Sequence, residues 1–176
     1  MYRNRQMRDP AGPAGAGRQF VSASTRPQEA ADIEAMRPIR SVLTSYDYWQ
    51  LQEHRRRFTE LGGAFFSRLA QFFRAKMADA HVPCADDLPH DAVTGSSRVC
   101  FALNGQRPQT ATLYHWGYPE DGRSRLPVGS FLGVALIGMI EGQHAKLPEG
   151  DGIDAGDEVT VLAVHNRPED AAARYA

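Results

Sequence analysis

His81, Cys84, His90 and Cys100 are side chains of the types that hold zinc. Only His81 and Cys84 form a close pair, and no second pair completes a four-ligand set at the spacings that tetrahedral sites use. Asp86, Asp87 and Asp91 offer the oxygen donors magnesium takes, but they lie in "HVPCADDLPHD", a Pro-punctuated linker whose acids are by default solvated. Gly133 to Met139 keeps the glycine spacing of a phosphate-binding loop but lacks the Lys and the Ser or Thr that contact phosphate and magnesium. No G-x-S-x-G elbow presents a nucleophilic serine. The sequence therefore implies no catalytic residue, no metal and no cofactor. Its glycines at 129, 133 and 138 read as positions where a short helix packs closely on a sheet.

Composition narrows the partners. The chain has 176 residues, 42% of them apolar, which suffices for one modest core plus appendages. A formal net charge of -1 supplies no global positive field toward nucleic acid or an anionic membrane, so any such contact must come from a local patch. The apolar run "LPVGSFLGVALIGMIEG" is too short for a membrane helix, which needs roughly 20 residues. Cys84 and Cys100, with no secretory leader before them, suit reduced thiols, and a cytoplasmic location is expected.

Several elements must position whatever site exists. Residues 1–37, rich in Arg, Ala, Gly and Pro, are expected to be a disordered tail, with Met36 as an alternative start of translation and an organellar transit peptide as a weaker reading. Residues 38–82 are expected to form a short antiparallel helical hairpin, a coiled coil about 24 Å long, broken at Gly62-Gly63. Thr44 and Asp47 form a capping box for its first helix. Tyr48, Leu51, Phe58 and Leu61, then Phe65, Leu69, Phe72, Phe73, Met77 and Ala80, mark the apolar faces. Glu53, Arg55, Arg56, Arg57, Arg68, Arg74 and Lys76 are expected on solvated faces. Residues 83–169 turn to strands: 97–103, 110–115, 143–147 and 157–164, with turns at Asn104-Gly105 and "GYPEDG". On the last strand Val159, Val161 and Ala163 are expected to share one side. A short helix over 130–137, N-capped by Ser130, lies between the strand pairs, and 170–176 form a tail. The fold class is α+β: the hairpin, then an antiparallel sheet carrying one short helix.

The order of these parts, "LPHDAVTGSSRVCF", "LPVGSFLGVALIGMIEGQ", "LPEGDG" and "EVTVLAVHNRPE", resembles the regulator of nucleoside diphosphate kinase family, relatives of the Gre transcript cleavage factors, over residues 38–169. The resemblance implies an FKBP-like C-terminal domain and a bacterial RNA polymerase partner. Gre factors dock that domain beside the polymerase secondary channel and carry two acids at the coiled-coil tip that help hold a catalytic magnesium ion. Here the corresponding tip, "RFTELGG", has only Glu60 on a shorter arm, so binding without cleavage is expected.

By that resemblance Pro127, Val128 and Ser130 are the candidate polymerase contacts, with Glu60 at the tip. Arg55 and Arg56, followed by Arg57, could meet acidic polymerase surface or nucleic acid within the complex. Two other functions remain open. One is a peptidyl-prolyl isomerase, on fold analogy alone, with Phe101, Tyr114, Trp116, Tyr118 and Phe131 as the aromatics a pocket would draw on. The other is an indirect modulator of nucleoside diphosphate kinase.

Overall fold

A computed structural model describes residues 41–116, 124–150 and 152–166. The expected tails at 1–37 and 170–176, the start at Met36, the "GYPEDG" turn and Tyr118 lie outside the described residues.

Thr44 opens the first helix, α1 (Ser45–Leu61), its hydroxyl accepting from the Asp47 amide at 2.9 Å. The helix stops where Gly62 adopts φ 66° and Gly63 φ 81°, a backbone that side chains rarely enter. Gly62 alone therefore links α1 to α2 (Gly63–Ala78), and the two run back along each other as a hairpin. At 17 and 16 residues the arms are about 25 Å and 24 Å long. Leu61, placed in the apolar stripe by spacing, is 64% exposed at the end of α1, at the tip of the hairpin.

The sheet has five strands in the order β3-β2-β1-β5-β4: β1 (Arg98–Leu103), β2 (Gln109–Tyr114), β3 (Arg125–Pro127), β4 (His144–Lys146) and β5 (Glu158–His165). It is not wholly antiparallel as expected. Three residues of β3 pair in parallel with Thr112, Leu113 and Tyr114 at one edge. So short a strand carries no readable period of its own and forms because the neighbouring edge offers free backbone groups.

The register of β5 also departs from simple alternation. Phe101 faces Val161 while Cys100 faces Ala163, so Leu162 is an extra residue on β5. Such a bulge reverses the in-and-out phase of the residues C-terminal to it. Val159 and Val161 point inward as expected, but beyond the bulge it is Val164 that is buried, while Leu162 is exposed and Ala163 only half-buried.

Helix α3 (Phe131–Leu136) packs on this sheet and against the hairpin. One apolar cluster joins all three layers: Leu51 from α1, Leu69 and Phe73 from α2, Val99, Leu113 and Val161 from the sheet, and Phe131 and Leu136 from α3. The expected boundary at residues 82 and 83 thus separates the elements in sequence but not in the core. Phe65 and Phe72 of α2 both reach the Phe131 ring, at centroid separations of 5.6 and 6.1 Å, so the hairpin lies along the domain from its base almost to its tip.

Gly133 fits the close-packing expectation, since a Cβ there would stand 2.1 Å from the Pro127 carbonyl oxygen. At Gly138, φ is 77° and a Cβ would meet Leu43 Cδ2 at 2.8 Å. The "LPHDAVTGSS" segment is stapled to the end of β5: Asn166 donates to the carbonyls of His90 and Ala92 and is hydrogen-bonded to Ser97, whose hydroxyl also accepts from the Thr94 amide. Among the described residues, no helix is long and apolar enough to cross a membrane.

Candidate functional site

The solvent side of α1 carries an ion-pair chain in place of free charges. Arg56 binds both oxygens of Glu53 at 2.8 Å and, one turn on, Glu60 at 2.5 Å; Arg57 binds Glu53 at 2.7 Å. These are the i,i+3 and i,i+4 neighbours of a helical surface. The hydrogen bonds from Arg56 and then Arg57 hold the Glu53 carboxyl down at about 2. Glu53 and then Glu60 raise the Arg56 guanidinium further above its usual range. Of the candidate contacts on the hairpin, Arg56 and Glu60 therefore pair with each other, while Arg55 is exposed.

The second candidate edge runs from β3 into α3. Pro127 is half-buried at the end of β3. Ser130 is the N-cap of α3, its hydroxyl accepting from the Gly133 amide at 3.0 Å and donating to the Pro127 carbonyl at 2.9 Å. Val128 is a correction: it is wholly buried and belongs to the core, so its side chain cannot meet a partner. The reason is that the apolar floor under α3 must be closed on this side, and Val128 closes it. Gly129 lies under the hairpin, where a Cβ would touch Phe58 and His54 at 3.4 and 3.5 Å.

That contact leads to a cluster invisible to spacing. Asp47 contributes only half of the expected capping box; its carboxylate turns inward, and Oδ1 accepts from the Gly95 amide at 3.1 Å and from His115 Nε2 at 3.0 Å. His115 Nδ1 lies 3.3 Å from His54 Nε2. The bridge from α1 to the end of β2 is thus Asp47, His115, His54, and all three side chains are buried. His54 is stacked on Trp116 at 3.8 Å and on Phe73 at 5.4 Å. Burial first, then His115 and Arg57, push the His54 pKa down to about 3, against an opposing pull from Glu53. Trp116 is held from its other sides by the Arg57 guanidinium, 4.3 Å from the ring centre, and by its indole N–H bonded to Gln50. No local pattern marks these residues, because their partners lie 61 and 68 positions away in sequence.

Lys76 is a further correction. Expected on a solvated face, it is buried against α3, its ammonium donating to the Ala135 carbonyl at 2.7 Å. Burial lowers its pKa to about 7. The last carbonyls of α3 need a donor, and a lysine stem threading the apolar interface supplies one.

The side chains of metal-ligating type are dispersed. Asp86 and Asp87 sit exposed in a 3-10 turn, His81 pairs its backbone with that of residues 41–43, and Cys84 and Cys100 are free thiols. Among the described residues, no group of three or more His, Cys, Asp or Glu is arranged to hold a metal ion. Phe101 and Phe131, two of the aromatics a proline pocket would draw on, are spent in the core.

No protein-family model matches the chain. Its sequence is 30% identical over 106 residues to the regulator of nucleoside diphosphate kinase of Escherichia coli strain K12, covering 75% of that protein and 58% of this chain, and equally to the protein of that name from Shigella flexneri. Its fold matches a prokaryotic transcription elongation factor GreA/GreB from Nitrosomonas europaea with a TM-score of 0.51 at 21% identity, covering 72% of this chain and all of the other. Among the described residues, three α-helices and a five-stranded sheet form a GreA/GreB-like α+β arrangement, and a match spanning three quarters of its curated relatives places this chain in the regulator of nucleoside diphosphate kinase family.

Proposed function

We propose that the chain is a transcription regulator that binds bacterial RNA polymerase near its secondary channel and does not cleave transcripts. Family membership and the GreA/GreB-like fold support the polymerase as partner, and the observation that carries the absence of cleavage is the state of the hairpin tip. Metal-assisted cleavage needs carboxylates free to share a magnesium ion. Glu60 is the one acid beside Gly62-Gly63, and Arg56 already holds it. The short arms lie along the domain, with Phe65 against Phe131, which favours a compact plug at a channel mouth over a probe into it.

In this reading the FKBP-like domain is the anchor. Pro127 and Ser130 at its edge, with Arg55, Arg56 and Glu60 on the hairpin, remain the proposed contacts, and nucleic acid is met only within the polymerase complex. Any effect on nucleoside diphosphate kinase is indirect, because the glycines that mimic a phosphate loop are filled by protein: Gly133 abuts the Pro127 backbone and Gly138 abuts Leu43.

The test is co-purification of the full chain with bacterial RNA polymerase core. Stoichiometric retention at micromolar concentration is expected, and no retention would remove the proposal.

A further inference from the structure

The solvent face of α2 carries charge that the fold does not neutralise. Arg68 and Arg74 are exposed, and among the described residues neither side chain has a hydrogen-bond, ion-pair or ring partner. Along α2, GAFFSRLAQFFRAKMA, there is no acid to pair with them, and the third cation, Lys76, is buried on the Ala135 carbonyl. On α1, Glu53 and Glu60 are already held by Arg56 and Arg57, and Asp47 is buried on His115. The two helices thus set five arginines against three carboxylates, in a chain whose formal net charge is -1. This is the local positive patch that the overall charge does not supply.

Helical spacing puts the two arginines on either side of one exposed strip. Gln71 is exposed and lies three residues after Arg68 and three before Arg74, one turn from each. Arg68 and Arg74 are about 9 Å apart along the helix axis. The charge is therefore spread along α2, which suits a row of anions better than a single one.

The chemistry of the strip selects among anionic partners. A protein interface closes around a dry centre rich in aromatics and Met and poor in Ser and Ala. Here the exposed neighbours of Gln71 on the strip are Ser67 and Ala78, so an acidic protein surface finds no apolar anchor. A second copy related by a two-fold axis would set these arginines against their own counterparts. A phosphate backbone needs neither anchor nor counterpart, since charge and polar side chains hold it. Binders of single strands add aromatic rings on which bases stack, whereas the two rings nearest the strip in sequence, Phe72 and Phe73, are buried. What fits is the backbone of a duplex.

We propose that Arg68 and Arg74, with Gln71 between them, form a seat for the phosphate backbone of paired nucleic acid held by the polymerase. This rests on the polymerase reading above and moves the nucleic-acid contact from the paired arginines of α1 to the unpaired ones of α2.

The experiment titrates the full chain, over a salt series, onto polymerase core alone, core loaded with single-stranded DNA, and core assembled on a scaffold that includes a DNA duplex. The unmodified protein is compared with Arg68→Gln plus Arg74→Gln and with Arg68→Lys plus Arg74→Lys. Glutamine and lysine are good helix formers at exposed positions, so the variants keep the fold, which circular dichroism verifies. The unmodified chain should bind the duplex scaffold complex more tightly than core. The glutamine variant should lose that gain and lower the slope of log K against log salt by about two, one for each phosphate contact, while binding core as the unmodified chain does. The lysine variant, which keeps both charges, should retain the gain. Equal slopes for the unmodified chain and the glutamine variant on the scaffold complex would overturn the seat and leave the polymerase reading intact. Failure of the unmodified chain to bind either core or complex would overturn both. A loss on core alone would reassign the strip to an acidic protein surface, an equal gain on single-stranded DNA to unpaired bases, and arginine-dependent dimerisation in light scattering to a second copy; each of these results also overturns the proposal.

Discussion

His54 Nε2 and His115 Nδ1 lie 3.3 Å apart in the seam between the helical hairpin and the sheet, and the other nitrogen of His115 is committed to Asp47. A carboxylate oxygen accepts, so His115 donates to Asp47 from Nε2. One proton then remains to be shared between the two imidazoles. His54 donates from Nε2 to His115 Nδ1, so the proton that would charge His54 must go on its Nδ1. His54 Nδ1 is buried with no hydrogen-bond partner, so that new N–H would be left without an acceptor.

Acid sensitivity is the consequence. His54 binds a proton near its ordinary value of 6.5 when unfolded but only near 3 when folded. Between those values the unfolded state holds more protons, so stability falls as pH falls. From pH 7 to pH 5 this group alone should remove about 2 kcal/mol, read from urea unfolding at the two pH values. In His54→Leu the absolute stability should drop but the slope over this window should flatten. An unchanged slope would show that His54 is not held neutral by burial.

Lys76 acts in the opposite pH range. Its folded value near 7 lies below the ordinary 10.5, so between them the unfolded state again binds more protons, and stability rises with pH. The gain from pH 7 to pH 9 should be about 2 kcal/mol relative to Lys76→Met, which carries no titrating group there. Equal pH profiles for the two proteins would mean that the ammonium finds water.

Much of this architecture is legible in the sequence, and the reason is locality. The N-caps Thr44 and Ser130, the Gly62-Gly63 break and the cores of β1, β2 and β5 each depend on residues within a few positions of one another. The features that escape a reading of the sequence depend on partners distant along the chain. Lys76 reads as a surface lysine until α3 is laid beside it, and Asp47 reads as a cap until His115 arrives from 68 residues away. The parallel strand β3 and the bulge at Leu162 are likewise set by neighbouring strands.

The glycines of the apolar run test the packing account. Gly133→Ala must place a methyl 2.1 Å from the Pro127 carbonyl oxygen, where only backbone movement can relieve it. A loss of about 3 kcal/mol is expected, roughly 10 °C in Tm. Gly105→Ala is the control: φ is 64° but nothing lies within 4 Å, so only backbone strain of about 1 kcal/mol applies. Thermal unfolding of the two variants side by side checks the difference, and equal losses would contradict the packing role.

The proposed occupancy of the polymerase in the manner of a Gre factor, without its chemistry, has a direct competition readout. It is tested most directly by following RNA cleavage in backtracked polymerase complexes that contain a Gre factor while this chain is titrated in. Gre-dependent cleavage should fall as the chain is added, and the chain alone should yield no cleavage product. Cleavage by the chain alone, or Gre-dependent cleavage that stays constant at saturating chain, would contradict it.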